Sequence, residues 1–524
     1  NVIIRSMEGT LSKQQKRRWW LVFIGLVIIF TLAYAQSPLF TSNQNQYFFY
    51  GMARAGFGDL DQDWLYSTND IVPVFSFLVY LTYSVFHTTW VFYLWYAIIF
   101  GIYLFSMYGI VSHLFKWEKS IRNLFLFGAV AVFLHSALLR YGISNLISPE
   151  WEFLIEGGVA GQRVLGDVFQ PSSFGVLFLL SIYLFLKEKP YWAVAVSALA
   201  AVIHPTYLLS AAVLTATYGF IRYYETKQIK ELILIGLLAL VIVSSITIYT
   251  VQGFLGVDPE LAAQANDITI NYRQPHHMII GEWFDLRVAI KAGLLTLALY
   301  LVSKERIFWI LLPTAIFVVS LTALQAIIQH PSLAMLFPWR FSVILVPLST
   351  MIISGKLLDV LVLHPNDRRI SKKTINIIIS IVLVICILTG SFKFFTAIWR
   401  WESTPKYEMM TMLRDRHEPG QVFVVPLKWQ EFRLVTGIPI VVEFKAGPQS
   451  AQDIVEWYDR VQQVDHLYAT LRHGNNGCMR LDYLVYAYDA THLVLPNDLE
   501  PEPDCMNLLF SNEEFSLYEA VEVE

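Results

Sequence analysis

The chain has 524 residues, of which 55% are hydrophobic and only 15% charged, with a mean hydropathy of +0.49. Soluble domains carry roughly 25% charged residues, so this composition excludes an ordinary soluble enzyme and supplies enough apolar sequence for many membrane spans. The formal net charge of −4 offers no electrostatic footing for nucleic acid.

In chain order, KQQKRR at 13–18 precedes the apolar run WWLVFIGLVIIFTLAYA. With Ala33-Tyr34-Ala35 this has the outline of a signal peptide. It is read here as a first transmembrane helix, with the basic flank in the cytoplasm. The next stretch, NQNQYFFYGMARAGFGDLDQDWLYSTND at 43–70, holds Asp59, Asp61, Asp63 and Asp70. Its first part, 43–57, predicts an amphipathic membrane-surface helix, with Tyr47, Phe48, Met52 and Phe57 on one face and Asn45 and Arg54 elsewhere. The run from Ile71 to Phe86, with Pro73 near its start, is about 16 residues where a span needs about 20. It is therefore read as an interfacial or re-entrant helix.

Charge supports that reading. If 71–86 does not cross and 90–112 does, five basic clusters fall on one side. These are Lys116, Lys119 and Arg122; Lys187 and Lys189; Arg222, Lys227 and Lys230; Lys304 and Arg306; and Arg368, Arg369, Lys372 and Lys373. The expected architecture is a polytopic α-helical membrane protein of about eleven spans, N-terminus inside and C-terminus outside. Long outer loops at 140–172 and 252–284 then share a face with the Asp-rich loop. After a last span at about 374–397 the hydrophobicity drops. Residues 398–524 predict a small soluble α/β domain on the outer side. QVFVVP, IPIVVEF, DYLVYAY, HLVLP and FSLYEA read as strands, SAQDIVEWYDRVQQV as a helix and NDLEPEPD as a loop.

Several groups on the outer face are candidates for chemistry. Alternate carboxylates at Asp59, Asp61 and Asp63 can point one way from an extended loop and share a divalent cation, or one of them can act as a general base. A solvated, helix-capping loop is the competing reading. His276 and His277 follow Arg273 and Pro275. Adjacent histidines on a strand point apart, so Arg273 is the better phosphate ligand. His204 in AVIHPTYLL either faces the bundle interior or satisfies a backbone group freed by Pro205. Arg340 in LFPWRFS opens a span and either snorkels or holds a lipid phosphate. Arg163 and Asp167 pair or share a cavity. Glu150, Glu152 and Glu156 are further acids that no spacing separates. Cys386 lies in an apolar run, while Cys478 and Cys505 lie in the polar C-terminal region and are candidates for a disulfide. Arg433, Glu443 and Lys445 read as surface pairs of little energy. The chain has no Walker loop, HExxH, GxSxG or CxxC pair, so a nucleotide-driven role has no support.

NQNQYFFYGMARAGFGDLDQDWL followed by the apolar hairpin IVPVFSFLVYLTYSVFHTTW resembles the GT-C superfamily of membrane glycosyltransferases. GDVFQPSSFG, AVIHPTYLL, YRQPHH and FRLVTGIPIVVEFKAGP with EWYDR resemble a bacterial branch of it. The sequence lacks the acidic pair and the His-Pro-Pro type motif of the better-known branches. The resemblance implies a cytoplasmic-membrane enzyme of the bacterial cell envelope. Such an enzyme transfers sugar from a polyprenyl-phosphate carrier to an acceptor at the outer face. Asp59 or Asp61 would be the base, Arg273, His276, His277 or Arg340 would hold the donor phosphate, and membrane partners would dock on the C-terminal domain. A non-catalytic scaffold subunit of the same fold and a lipid or glycan transporter are the alternatives.

Overall fold

The computed structural model describes residues 12–118, 120–252, 256–364, 371–474, 477–499 and 505–521. Lys119, Arg368, Arg369 and most of the NDLEPEPD loop lie outside the described residues.

The first apolar run forms the Lys13–Tyr34 helix, started by a capping box between Ser12 and Gln15. Trp19, Phe23, Leu26, Phe30 and Ala33 recur every three to four residues on its buried face, and Leu21, Ile24, Ile28 and Leu32 are exposed on the other. A helix apolar on every side suits lipid rather than water. Seven helices among the described residues are long and apolar enough to cross a membrane: Lys13–Tyr34, Val91–Leu114, Ile121–Leu146, Ile229–Gln252, Phe308–Ile328, Pro331–Leu363 and Lys372–Glu402. Shorter apolar helices run from Pro73 to Phe86, Pro171 to Leu186 and Pro190 to Ile203. The chain is a multi-pass helical membrane protein with a small C-terminal sheet.

Contacts divide it into two compact units. The first combines Asn1–Gln36, Tyr93–Ile248 and Gln274–Phe395, and the second combines Ser37–Phe92, Tyr249–Arg273 and Thr396–Glu524. The division is not linear in sequence, because the Asp-rich loop and residues 249–273 group with the C-terminal segment.

In the first unit, several basic turns used in the sidedness argument meet. Arg222 lies 3.3 Å from Glu188 and from Glu225, and 3.7 Å from Glu231. Arg306 bonds Glu188, lies 2.8 Å from Glu225 and stacks on Phe185. Lys187 reaches His113 at 3.3 Å.

In the second unit, 43–57 is not one surface helix. It forms two short helices, Gln44–Tyr47 and Phe49–Arg54. Asn45, expected on the polar side, is buried, while Tyr47 and Phe57 are only partly so. The loop is packed rather than laid flat. The Phe48 ring packs, tilted, against those of Phe75 and Phe92 with centres 5.8 and 4.6 Å apart, and a Cβ on Gly51 would sit 2.5 Å from the Ser76 carbonyl. The Pro73–Phe86 helix has 14 residues, about 21 Å at 1.5 Å per residue, which is short of a bilayer core of about 30 Å.

The C-terminal sheet has four strands: β1 Phe423–Val424, β2 His492–Pro496, β3 Met506–Ser511 and β4 Phe515–Ala520. Their order is β1-β2-β4-β3, with only β1 and β2 parallel. HLVLP and FSLYEA are strands. IPIVVEF contributes only a bridge from Ile440 to Phe423. DYLVYAY belongs to the Cys478–Tyr488 helix, because Leu481 and Leu484 are buried at helical spacing. Both faces of β2 are covered. Leu493 and Leu495 join a core around Trp457 and Val461, and Val494 joins another around Phe432 and Met410. A disulfide joins Cys478 to Cys505, 27 residues apart. Replacing both cysteines with serine is expected to cost this unit about 3–4 kcal/mol, from the loop-closure entropy of a chain segment of that length. The denaturation midpoint of the double variant measures it.

Candidate functional site

The Asp-rich loop owes its shape to two 3-10 turns, Leu60–Gln62 and Trp64–Ser67. Its three alternating carboxylates therefore reach three different environments. Asp63 caps the second turn through Leu65 N–H at 2.9 Å. It also accepts from Arg433 Nε at 2.7 Å and Nη2 at 3.1 Å, and from Ile440 N–H at 3.0 Å. Both partners of this pair are buried. Asp59 is held by His417, whose Nε2 is 2.9 Å from Oδ2, and the two side chains are 24% and 12% exposed. Asp61 is exposed. Among the described residues no group of three or more His, Cys, Asp or Glu side chains is placed to hold a metal ion.

The backbone fixes Asp59 as firmly as its side chain does. Asp59 N–H donates to the Gly437 carbonyl at 2.9 Å. Gly58 and Gly437 have φ of +57° and +78°, and a Cβ on Gly58 would lie 2.2 Å from the Gly437 oxygen. Only glycine fits at this crossing.

Several other charges of the second unit are buried and bonded within it. Arg433 and Glu443, expected as surface pairs, are buried and lie 3.7 Å apart. Glu443 also accepts from the backbone N–H groups of Lys445 and Ala446. Burial pushes its pKa up to about 7 against the pull of Arg433. Arg273 donates to the carbonyls of Pro448 and Gly447 at 2.8 and 2.9 Å and lies over Trp457. Burial lowers its pKa to about 10. Asp70, its pKa raised by burial, accepts from Val72 N–H and from Ser76 Oγ in the first turn of the Pro73–Phe86 helix, both at 3.0 Å, with Arg54 3.3 Å away.

The first unit holds the other candidates. His204 Nε2 accepts from Arg340 Nη2 at 2.9 Å. Arg340 lies over Tyr207, whose hydroxyl donates to the Ser172 carbonyl at 2.7 Å. AVIHPTYLL, LFPWRFS and GDVFQPSS thus converge. His277 Nδ1 donates to the Ala160 carbonyl at 2.7 Å, and its ring centre is 4.1 Å from that of the exposed His276.

A second cluster was not legible as such. The Ile121–Leu146 run breaks at His135, and Ser136 caps the following helix at Leu139 N–H. That break sets Arg140, 2% exposed, among Asp167 at 2.8 Å, Glu156 at 3.8 Å and Glu152 at 3.9 Å. Arg140 also bonds the Tyr34 carbonyl and lies over the Tyr34 ring. Arg163 and Asp167 are 3.8 Å apart, so Arg140 is the closer partner. Burial opposes the Asp167 charge, but Arg140 and Arg163 together hold its pKa below the ordinary value. Of the three glutamates, Glu156 is the buried one. Arg140 left one sequence signal: on the sidedness expected from the basic clusters it is a basic residue at the outer end of a span, where the positive-inside pattern provides none.

A family model described as a domain of unknown function (DUF6798) matches residues 405–464. That segment carries His417, Arg433 and Glu443. No curated protein matches the chain. Among solved structures the chain is similar to the archaeal oligosaccharyltransferase AglB from Archaeoglobus fulgidus, in complex with an inhibitory peptide and a dolichol-phosphate. The identity is 11%, the TM-score 0.48, and the match covers 93% of this chain and 70% of that one. It is also similar to ArnT from Cupriavidus metallidurans bound to undecaprenyl phosphate, at 12% identity and TM-score 0.48, over 96% of this chain and 98% of that one.

Proposed function

We propose that this protein is a membrane glycosyltransferase of the GT-C type. On this reading it moves a sugar from a polyprenyl-phosphate-linked donor to an acceptor at the outer face of a bacterial cytoplasmic membrane. The observation that carries the reading is the Asp59–His417 pair. Of the three alternating carboxylates, Asp63 is buried and fully bonded and Asp61 is unsupported. Asp59 alone is both partly open and fixed, by an imidazole and by the Gly58–Gly437 crossing. Those are the properties a general base needs. Asp59 takes the acceptor hydroxyl proton as the acceptor oxygen bonds the anomeric carbon. The bond from that carbon to the carrier phosphate breaks, and polyprenyl phosphate leaves.

Arg340 is the first candidate for the donor phosphate, since its Nε has no hydrogen-bond partner among the described residues. His276 and His277 come next, and Arg273, engaged with two carbonyls, comes last. The C-terminal segment, 398–524 in the linear division, is placed outside the cytoplasm. The basic turns and a disulfide suited to an oxidising compartment support that placement.

The scaffold reading has one observation in its favour. Arg433, buried in the segment 405–464, is spent on holding the first loop through Asp63. Assay of the purified full chain in nanodiscs with a panel of polyprenyl-phosphate sugars tests both. Turnover lost in Asp59→Asn supports the enzyme. Turnover unchanged in that variant removes Asp59 as base, and no turnover by the unaltered protein with any donor leaves the scaffold.

A further inference from the structure

The Arg140 cluster contains a buried acid that the transfer reading does not use. Glu156 is 4% exposed, and neither of its carboxyl oxygens has a hydrogen-bond partner among the described residues. His135 does not supply one. Its Nδ1 donates to the Ala131 carbonyl at 2.8 Å, and its Nε2 lies 2.7 Å from the Tyr103 hydroxyl. That Nε2 is 3.6 Å from Glu156, beyond hydrogen-bond distance. Arg140 Nε is likewise without a hydrogen-bond partner, 3.8 Å from Glu156 Oε1. An ionised carboxylate with no hydrogen bond in an interior of low polarity is strongly unfavourable. The arrangement suits a neutral acid.

We propose that Glu156 is a proton-binding site whose occupancy decides which carboxylate holds Arg140. With the proton bound, Arg140 serves Asp167. When the proton leaves, Arg140 Nε closes the short gap to Glu156, and its bond to Asp167 opens. The exchange is inexpensive on the side that loses, because the Asp167 side chain is 39% exposed and can be solvated. The charges facing the site pull against burial, toward the ionised form. Arg140, Arg163 and Lys393 are opposed by Glu152 and Asp167, with Lys393 3.7 Å from Glu152. Tyr34, Tyr103 and His135 are the other titratable groups around Glu156. Ionised Glu156 therefore balances the cluster, and protonated Glu156 leaves it one positive charge in excess. Burial, against the pull of Arg140 and Arg163, pushes the Glu156 pKa up to about 8. The switch thus passes interior protonation to a half-open carboxylate, and it stands independently of the transfer reading.

Infrared difference spectroscopy of the full chain in nanodiscs, titrated from about pH 6 to about pH 10, tests it. A protonated-carboxyl band present at neutral pH and absent from Glu156→Gln is expected. In Asp167→Asn, Arg140 is released toward Glu156, so the midpoint of the band falls by about one unit, a tenfold change in proton affinity. Absence of the band, or a midpoint unmoved in Asp167→Asn, overturns the proposal. Melting temperatures give a second readout. The folded protein holds the Glu156 proton above the pH at which the unfolded chain releases it, so stability falls as pH rises from about 5 to about 8. Glu156→Gln lacks this component and gains on the unaltered protein by several degrees across that window. Parallel curves for the two also overturn the proposal.

Discussion

Arg433→Ala is expected to destabilise the second unit by about 3–5 kcal/mol, because it leaves a buried carboxylate without its counter-charge. Asp63 keeps its bonds from the Leu65 and Ile440 backbone but loses both from the guanidinium. Glu443, 3.7 Å from Arg433, loses the neighbour that opposes its desolvation, so its pKa rises further and it takes a proton at neutral pH. Asp63→Ala should cost a similar amount for the mirror reason. The double replacement Asp63→Leu with Arg433→Met should recover much of the loss, since an apolar pair of similar volume avoids both desolvation penalties. Trp429 and Trp457 lie in the two cores of this unit, so tryptophan fluorescence during chemical denaturation follows it directly. A loss below about 1 kcal/mol for either single change would mean that the pair is solvated in practice, as surface pairs are.

The same pair shows where sequence reasoning stopped. Helical spans, the short 71–86 helix and the concentration of acids after the first span are all encoded locally, in hydropathy and length. The directions of the acids are not. In an extended loop, residues two apart share a face. In 3-10 turns with three residues per turn they are rotated by about 240°, and Asp59, Asp61 and Asp63 diverge. Nor does the sequence say that Asp63 meets an arginine 370 positions away. That partner follows from the grouping of residues 37–92 with the C-terminal segment. DYLVYAY failed for a different reason. A seven-residue apolar-rich run fits either period, and only burial of Leu481 and Leu484 on one side selects the helix. His417 lies in RDRHEPG with no motif around it. Its importance comes from what it touches.

Asp59→Asn is expected to lower transfer by 10²- to 10⁴-fold, the usual contribution of a positioned general base, equivalent to about 3–5 kcal/mol of barrier. Asparagine keeps the shape and can still bond His417, so the fold should hold and KM change little while kcat falls. Asp61→Asn is the internal control. It sits two residues away with the same charge change but has no imidazole partner, and its rate should stay within a few-fold of the unaltered protein. His417→Ala frees the carboxylate without removing it. A misplaced base costs on the order of 10²-fold, and His417→Gln, which can donate to Asp59 again, should recover part of that. The Gly58–Gly437 crossing gives an independent handle. Gly58→Ala places a methyl group 2.2 Å from the Gly437 carbonyl and must displace Asp59 while leaving every titratable group present. If Gly58→Ala and His417→Ala both reduce kcat while Asp61→Asn does not, position rather than local charge determines the rate. If Asp59→Asn, Asp61→Asn, His417→Ala and Gly58→Ala all fall together, the loop contributes to folding and no single carboxylate is the base. If Asp61→Asn falls and Asp59→Asn does not, the base is the exposed carboxylate, and the imidazole beside Asp59 serves only to fix the chain.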